Sequence, residues 1–377
     1  MSGHAPADPD RDAPTAVAPD VVCLGESMVT FLPARPGRLA DVPSFARAIG
    51  GAESNVACAL AAAGHRVRWV GRVGRDGFGD HLVETIGGYG VDVGAVRRDP
   101  HRPTGVYFRT DEDRATAAHE VVYYRAGSAA SAMSPTTVPY DSVADARILH
   151  VTGITAALSA DCLALMRDLT APCPGRPLVS FDVNHRPGLW RDDTAHAAAV
   201  LLDLARRADV VFVGEDEAER LWGVGDPATL RALLPEPAVL VVKRGAEGAV
   251  AFERGPAGSS ARPACEDTAE GPTGSGCLTP DTATHTPAPH VTVISPVGAG
   301  DAFAAGFLSA TLRGLDVRTR LRHGHLMAAA ALTVPGDLAP PPRRAHADRL
   351  AALDDTAWGT LHLGPGWTGD DQEVRTP

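Results

Sequence analysis

Short, continuously apolar runs rich in β-branched residues alternate along this chain with Ala- and Leu-rich helical patterns. No other feature restricts the fold as strongly. The runs lie at Val21 to Leu24, Val67 to Val70, Ile148 to Thr152, Leu178 to Asp182, Val210 to Val213, Val239 to Lys243, Ala249 to Phe252 and Val291 to Ile294. Helical patterns cover Ser54 to Ala63, Gly79 to Ile86, Asp161 to Leu169, Thr194 to Arg207, Glu215 to Leu221, Asp301 to Leu312 and Arg318 to Val334. A strand that is apolar throughout must be covered on both faces. Helical crossovers do this, so the pattern predicts an α/β fold with a mostly parallel central sheet. Such sheets bind ligands beyond the carboxyl ends of their strands, which directs attention to polar residues just after each run. One region breaks the alternation. Thr104 to Arg125, TGVYFRTDEDRATAAHEVVYYR, reads as two strand-like pieces around a polar turn, and with Met28 to Val42 it suits a small β-sheet lid.

Composition sets the outer limits. The 377 residues allow one large or two ordinary domains with ample core. Formal charge is −11, so a nucleic-acid coat is not expected, although a local basic pocket for a small anion is compatible with it. No run of 18 apolar residues marks a membrane span, and no membrane partner is expected. Six scattered cysteines without a C-x-x-C pair, and a start lacking a basic, apolar leader, suit a reduced cytoplasmic enzyme. Residues 1–20 and 354–377 read as loose tails around a domain at 21–353. Residues 255–289, crowded with Gly, Pro, Ser and Thr, read as a long surface loop.

Five motifs bear on chemistry. Gly298-Ala299-Gly300-Asp301 opens an apolar helix after a strand-like run. Unpaired amides and the helix dipole favour an anion there, and Asp301 beside it suits a general base; the same aspartate also reads as a simple N-cap. Lys243-Arg244-Gly245-Ala246-Glu247-Gly248 follows a strand and suits a polyphosphate, or equally a plain hairpin turn. Gly51-Ala52-Glu53-Ser54-Asn55 opens an Ala-rich helix and suits a polyhydroxylated ligand, or a helix cap. Phe181-Asp182-Val183-Asn184-His185-Arg186 ends a buried strand and suits an active-site rim. Tyr107, Tyr123, Tyr124 and Arg125 on the lid could close over a carboxylate, or form a solvated edge. A P-loop is absent, and Gly71, Gly74, Gly77 and Gly79 lack dinucleotide-binding spacing. His323 and His325, two apart on a helical stretch, do not share a face for a metal.

Together these motifs resemble the ribokinase-like (PfkB) carbohydrate kinases, over Val21 to about Leu350. SPVGAGDAFAAGFL (Ser295 to Leu308) is similar to the family's C-terminal signature along its whole length, and GGAESN, VGRVGRDGFGDHL and KRGAEG stand in family order. CLGESMVTFLP, TGVYFR, YYRAGSAAS and FDVNHRPGLW look like the 2-keto-3-deoxygluconate kinase branch. The resemblance implies a three-layer sandwich with a lid, and ATP and Mg2+ as cofactors. It implies a terminal hydroxyl of a sugar acid as phosphoryl acceptor, and a homodimer or higher oligomer. Asp301 would be the base and Gly298 to Gly300 the anion hole. Lys243 to Gly248, with Asn184, would line ATP. Gly51 to Asn55 would hold the sugar hydroxyls, and Tyr107, Tyr123, Tyr124, Arg125 and Arg186 the acid end. Glu217 would act on magnesium through water.

Three departures from the family pattern qualify this, one being the 255–289 loop, which is longer than usual and close to where ATP should sit. Gly214 replaces an Asn ahead of Glu217, which bears on magnesium hydration. Ser295-Pro296 replaces a family Asp-Thr, which puts dependence on a monovalent cation in doubt. A kinase of a neutral sugar and a non-catalytic sugar or nucleotide sensor are the alternatives on the same fold.

Overall fold

The computed structural model describes residues 17–35, 37–110, 120–191, 193–255 and 281–369. In chain order, the strands of its two larger sheets are β1 (Val21–Leu24), β2 (Met28–Pro33), β3 (Phe45–Gly50), β4 (Val67–Val70), β5 (Val106–Arg109), β6 (Val121–Tyr124), β7 (Ile148–Thr152), β8 (Leu178–Asp182), β9 (Val210–Gly214), β10 (Val239–Lys243), β11 (Ala249–Glu253) and β12 (Thr282–Thr286). The principal helices are α1 (Ala52–Ala62), α2 (Gly77–Gly88), α3 (Ala160–Leu169), α4 (Thr194–Arg207), α5 (Glu215–Trp222), α6 (Ala299–Leu312), α7 (Val317–Leu332) and α8 (Arg344–Ala351).

The large sheet runs β12-β11-β10-β9-β8-β7-β1-β4. Six strands from β4 to β10 are parallel, and β11 and β12 close one edge antiparallel. Because side chains alternate along a strand, each apolar run feeds two cores. Val22, Leu149, Val179, Phe181, Val211 and Leu240 pack with α3, α4 and α5 on one face. Val21, Cys23, Trp69, Phe212 and Val241 pack with α1, α2 and α6 on the other. This is the three-layer sandwich. The chain steps from β1 to β4 on one side, then returns through β7 and marches the other way. The crevice for ligands in such a sheet opens where that direction reverses, between β1 and β7.

The second sheet, β3-β2-β5-β6, lies over this end. Its outward face is aromatic: Phe31 stacks on Phe108 at 4.7 Å, and Phe45 meets Phe108 edge-on at 5.3 Å. The lid is larger than the sequence pattern suggests. Strand β3 lies beyond Val42, and its mixture of Ala, Arg and Ile hides it from a search for apolar runs. No helix among the described residues is long and apolar enough to cross a membrane.

Four other expectations need correction. The low-complexity stretch does not reach Pro289, because Thr282–Thr286 pairs along β11 in register Glu253↔Thr282. Residues 256–280 lie outside the described residues. The run Val291 to Ile294 is not a strand: only His290–Val291 pairs, with His362–Leu363, and Val293 and Ile294 are half exposed. There the chain turns, and the Ile294 amide donates to the Leu332 carbonyl. The segment after 353 is anchored as far as 369. Trp358 and Trp367 are buried against α7 and α8, and Trp358 Nε1 donates to the Pro287 carbonyl at 2.8 Å. At the other end, residues 1–16 lie outside the described residues, but Asp20 is tied down by the Arg66 amide and guanidinium, each at 3.0 Å.

Candidate active site

The carboxyl ends of the parallel strands and the inner face of the lid enclose a cavity of about 430 Å³. Asp182, Asn184 and Arg186 reach it after β8, Glu217 after β9 and Lys243 at the end of β10. Gly51, Ala52 and Asn55 come from the start of α1, and Gly298, Gly300 and Asp301 from the start of α6.

Helix α6 opens at Gly298, whose φ of 79° lies in the left-handed region. A Cβ there would also land 2.2 Å from the Asp337 carbonyl oxygen, so both backbone shape and space select glycine. Among the described residues no side chain caps this helix start, which leaves the first-turn amides turned to the cavity. Asp301 Oδ2 accepts from Asn55 Nδ2 at 2.9 Å. Removal from water pushes the Asp301 carboxyl up to about 7; the Asn55 bond and the charges of Arg186 and Lys243 oppose this, while Asp182 adds to it. A carboxylate with that pKa can take a proton at neutral pH. Lys243 Nζ lies 2.7 Å from Asp182 Oδ2, and a Cβ on Gly300 would stand 3.6 Å from Nζ. Burial alone would lower the Lys243 pKa, but Asp182, Glu217 and Asp301 together hold it above its ordinary value. The ammonium is therefore charged and sits beside the helix start.

Several residues singled out in the sequence stand elsewhere. Glu53 is fully buried and accepts from the Thr152 amide at 3.2 Å and from the Thr152 and Thr155 hydroxyls at 2.8 Å each. It ties α1 to the end of β7 and does not line the cavity. Ser54 is turned away too, donating to Ser27 and to the Gly51 carbonyl. Tyr124 is 64% exposed, because alternation along β6 sends Val121 and Tyr123 inward and Val122 and Tyr124 outward. Arg125 reaches the wall, but its guanidinium is already paired with buried Glu26, Nε donating at 2.8 Å. Of the Lys243 to Gly248 loop, only Lys243 lines this cavity. Arg244 pairs with Glu215 and Glu247, and Gly245–Glu247 make one turn of 3-10 helix leading into β11.

Two charged cavity residues escaped the sequence reading. Arg109 stands two places after Tyr107, so the strand period carries both side chains inward. Arg109 pairs with Asp337 at 2.9 Å, and the Tyr107 hydroxyl donates to the same carboxylate at 3.1 Å. A search at period two from Tyr107 would have found Arg109. Asp337, in the loop after α7, has no local pattern to mark it. Arg186 differs from the other two arginines. Among the described residues its guanidinium donates to the His185 carbonyl, at 3.2 Å, and no carboxylate pairs with it.

The fit of a divalent cation rests on oxygen donors. Among the described residues no group of three or more His, Cys, Asp or Glu side chains could hold an ion directly. Each Glu217 oxygen accepts one backbone amide, from His185 at 2.8 Å and from Gly214 at 2.9 Å, which leaves each a lone pair for a water. Asn184 Oδ1 is buried without a partner among the described residues, on a residue with φ of 40° at the cavity wall. These acceptors fit a hydrated magnesium ion, which keeps several of its waters.

Comparison with known proteins is consistent across the chain. Residues 18–344 match the pfkB family carbohydrate kinase model. The 2-dehydro-3-deoxygluconokinase of Thermoproteus tenax is 35% identical over 337 residues, 88% of this chain and 94% of that protein. The enzyme of the same name from Bacillus subtilis (strain 168) is 35% identical over 355 residues, 92% of this chain and 98% of that protein. The crystal structure of a PfkB protein from Polaromonas sp. JS666 superposes with a TM-score of 0.71 at 32% identity, over 88% of this chain and 99% of that one.

Proposed function

This chain belongs to the pfkB family of carbohydrate kinases, and we propose that it transfers the γ-phosphoryl group of ATP to the terminal hydroxyl of a sugar acid, 2-dehydro-3-deoxygluconate. The observation that carries the chemistry is Asp301, a carboxyl raised to about 7 at an uncapped helix start. In the reaction its carboxylate takes the proton of the acceptor hydroxyl. The hydroxyl oxygen bonds to the γ-phosphorus as the bond to the β–γ bridging oxygen breaks, and ADP leaves. The first-turn amides of α6 and the Lys243 ammonium face the charge that gathers on the transferring group. Asn55 orients Asp301, and Gly51 lets the helix start approach the sugar. Magnesium, when bound with the nucleotide, neutralises phosphate charge; Glu217 and Asn184 would hold its waters.

The acid end of the substrate points to Arg186. A carboxylate entering the cavity needs a cation with spare donors, and Arg125 and Arg109 already have carboxylate partners. Tyr107 and Tyr123 flank the sugar from the lid. The outward lid face, with Val122 40% and Tyr124 64% exposed, is the surface on which a homodimer would close. The decisive experiment is an ATP-dependent phosphorylation screen with 2-dehydro-3-deoxygluconate, its galactonate epimer, fructose and ribose. A higher kcat/KM for a neutral sugar than for either acid would sink the sugar-acid reading and leave the neutral-sugar kinase. No turnover of any substrate would favour the sensor.

A further inference from the structure

Asp182 lines the catalytic cavity but takes no part in the proposed chemistry. It is 2% exposed, at the end of β8, and shares the cavity wall with Gly298 and Gly300. A buried anion beside a phosphate site repels the group that the site must hold, and the repulsion is strong where water is scarce. Its presence there calls for a compensating task.

The two Asp182 oxygens hold two different groups. Oδ2 accepts from Lys243 Nζ at 2.7 Å, across the end of β9: Asp182 is the register partner of Phe212, and Lys243 of Gly214. Alternation turns both side chains to the face covered by α6, where a Cβ on Gly300 would stand 3.6 Å from Nζ. Oδ1 accepts from the Asn184 amide at 3.2 Å, which closes a side-chain turn over Val183. That turn supports an uncommon backbone. Asn184 has φ of 40°, and among the described residues Arg191 is the one other non-glycine residue with a positive φ.

A lysine without a fixed partner would not keep to one place, because its ammonium ends a flexible four-carbon stem. The ammonium carries three donors. Among the described residues Asp182 takes one of them, and the others remain for an anion at the start of α6. We propose that Asp182 is a positioning residue for phosphoryl transfer, which holds the Lys243 ammonium against the start of α6 and Asn184 at the cavity wall before the nucleotide arrives. This rests on the kinase reading above, but on no choice of sugar. The carboxylate then helps only while the lysine is present. Without Lys243, Asp182 is an unpaired buried anion that repels phosphate.

The test is a double-mutant cycle on the full chain. It is read by calorimetric titration with Mg2+ and a non-hydrolysable ATP analogue, and by steady-state rates with the sugar that wild type uses best. Asp182→Asn keeps the size of the side chain and an acceptor for the Asn184 amide, but turns a donor toward the ammonium. It should lower kcat by about ten-fold or more, the scale of a lost charged hydrogen bond, while KM for the sugar stays within about two-fold. Rates are taken near pH 8.5, above the Asp301 pKa of about 7, so that the lost repulsion between Asp182 and Asp301 does not enter. Lys243→Met should weaken binding of the analogue. Adding Asp182→Asn to Lys243→Met should strengthen it again, by about three-fold or more. Wild-type kcat in Asp182→Asn, or a loss shared equally between kcat and sugar KM, overturns the proposal. So does an unchanged or weaker affinity in the double variant, and this arm decides the matter even where Asp182→Asn alone does not fold. A wild type that binds no analogue would instead remove the kinase reading itself.

Discussion

Asn55 and Asp301 stand 246 positions apart, yet the Asn55 amide nitrogen donates to the Asp301 carboxylate across 2.9 Å. The bond joins the starts of two helices and favours the ionised form of the proposed base. Asn55→Leu should therefore raise the Asp301 pKa. The acidic limb of the kcat/KM profile should begin near pH 7 in wild type and move to higher pH in the variant. An unmoved limb, measured from pH 5.5 to 9, would show that another group controls it.

Asp301→Asn should lower kcat by ~10²–10⁴, the usual contribution of general-base catalysis, while ATP still binds. It also makes a prediction about stability. The folded pKa, about 7, lies above the unfolded value of 3.8, so the folded state holds the extra proton between them. Ionising Asp301 in the folded state then costs stability, which wild type loses as pH rises through this window. The variant has no such loss. Its melting temperature relative to wild type should increase from pH 4 to pH 8; a constant difference would refute the raised pKa.

Arg125 and Arg186 should separate in two assays. Arg125→Ala leaves the Glu26 carboxylate buried without its cation, and breaking a buried pair costs about 3–5 kcal/mol. Urea melts should show this, with part recovered when Glu26→Gln is added. Arg186→Ala breaks no ion pair with a described residue and should melt like wild type. It should raise KM for the sugar acid while sparing any neutral sugar. Equal losses on both substrate types would remove Arg186 from acid recognition.

The stretch between β11 and β12 offers a fourth test. Glu253 and Thr282 are register partners, so the ends of the stretch lie close together. Loop-closure entropy changes by only about 0.6 kcal/mol per doubling of length. Replacing residues 256–280 by a short Gly/Ser linker should cost ~1 kcal/mol or less in a thermal melt. Extending the replacement to Thr284 should cost more, because it removes β12 pairing and the ion pair of Arg231 with Asp281, at 2.5 Å. Indistinguishable melts for the two replacements would mean that β12 contributes nothing to stability.

These tests follow the boundary between what the sequence showed and what it did not. The parallel strands were legible because burial on both faces demands unbroken apolar runs, as in Val239 to Val242. Strand β3 was not: one face looks to solvent, and its Ala and Arg residues carry no period-two signal. The C-terminal segment misled for a different reason. Its burial rests on isolated anchors, Trp358 and Trp367, in an otherwise polar stretch, and average composition hides single large side chains. At the site, motifs that follow a strand could be read locally. Asp337 could not, because its role comes from Tyr107 and Arg109, more than two hundred residues earlier.

The alternation of β5 and β6 has a wider consequence. Tyr107, Arg109, Val121 and Tyr123 face the cavity, while Phe108, Val122 and Tyr124 face away. Each lid strand therefore carries two interleaved texts. Odd-numbered positions can drift with the nutrient a cell consumes, and even-numbered positions can drift with whatever surface the protein meets. Neither drift disturbs the other, but Tyr107 and Arg109 bond Asp337, whose carbonyl packs at Gly298, so these two odd positions are held by the start of α6 while the rest can vary. A lineage could change its diet or its assembly by substitutions on the same two short strands while the phosphoryl-transfer apparatus stays as it is.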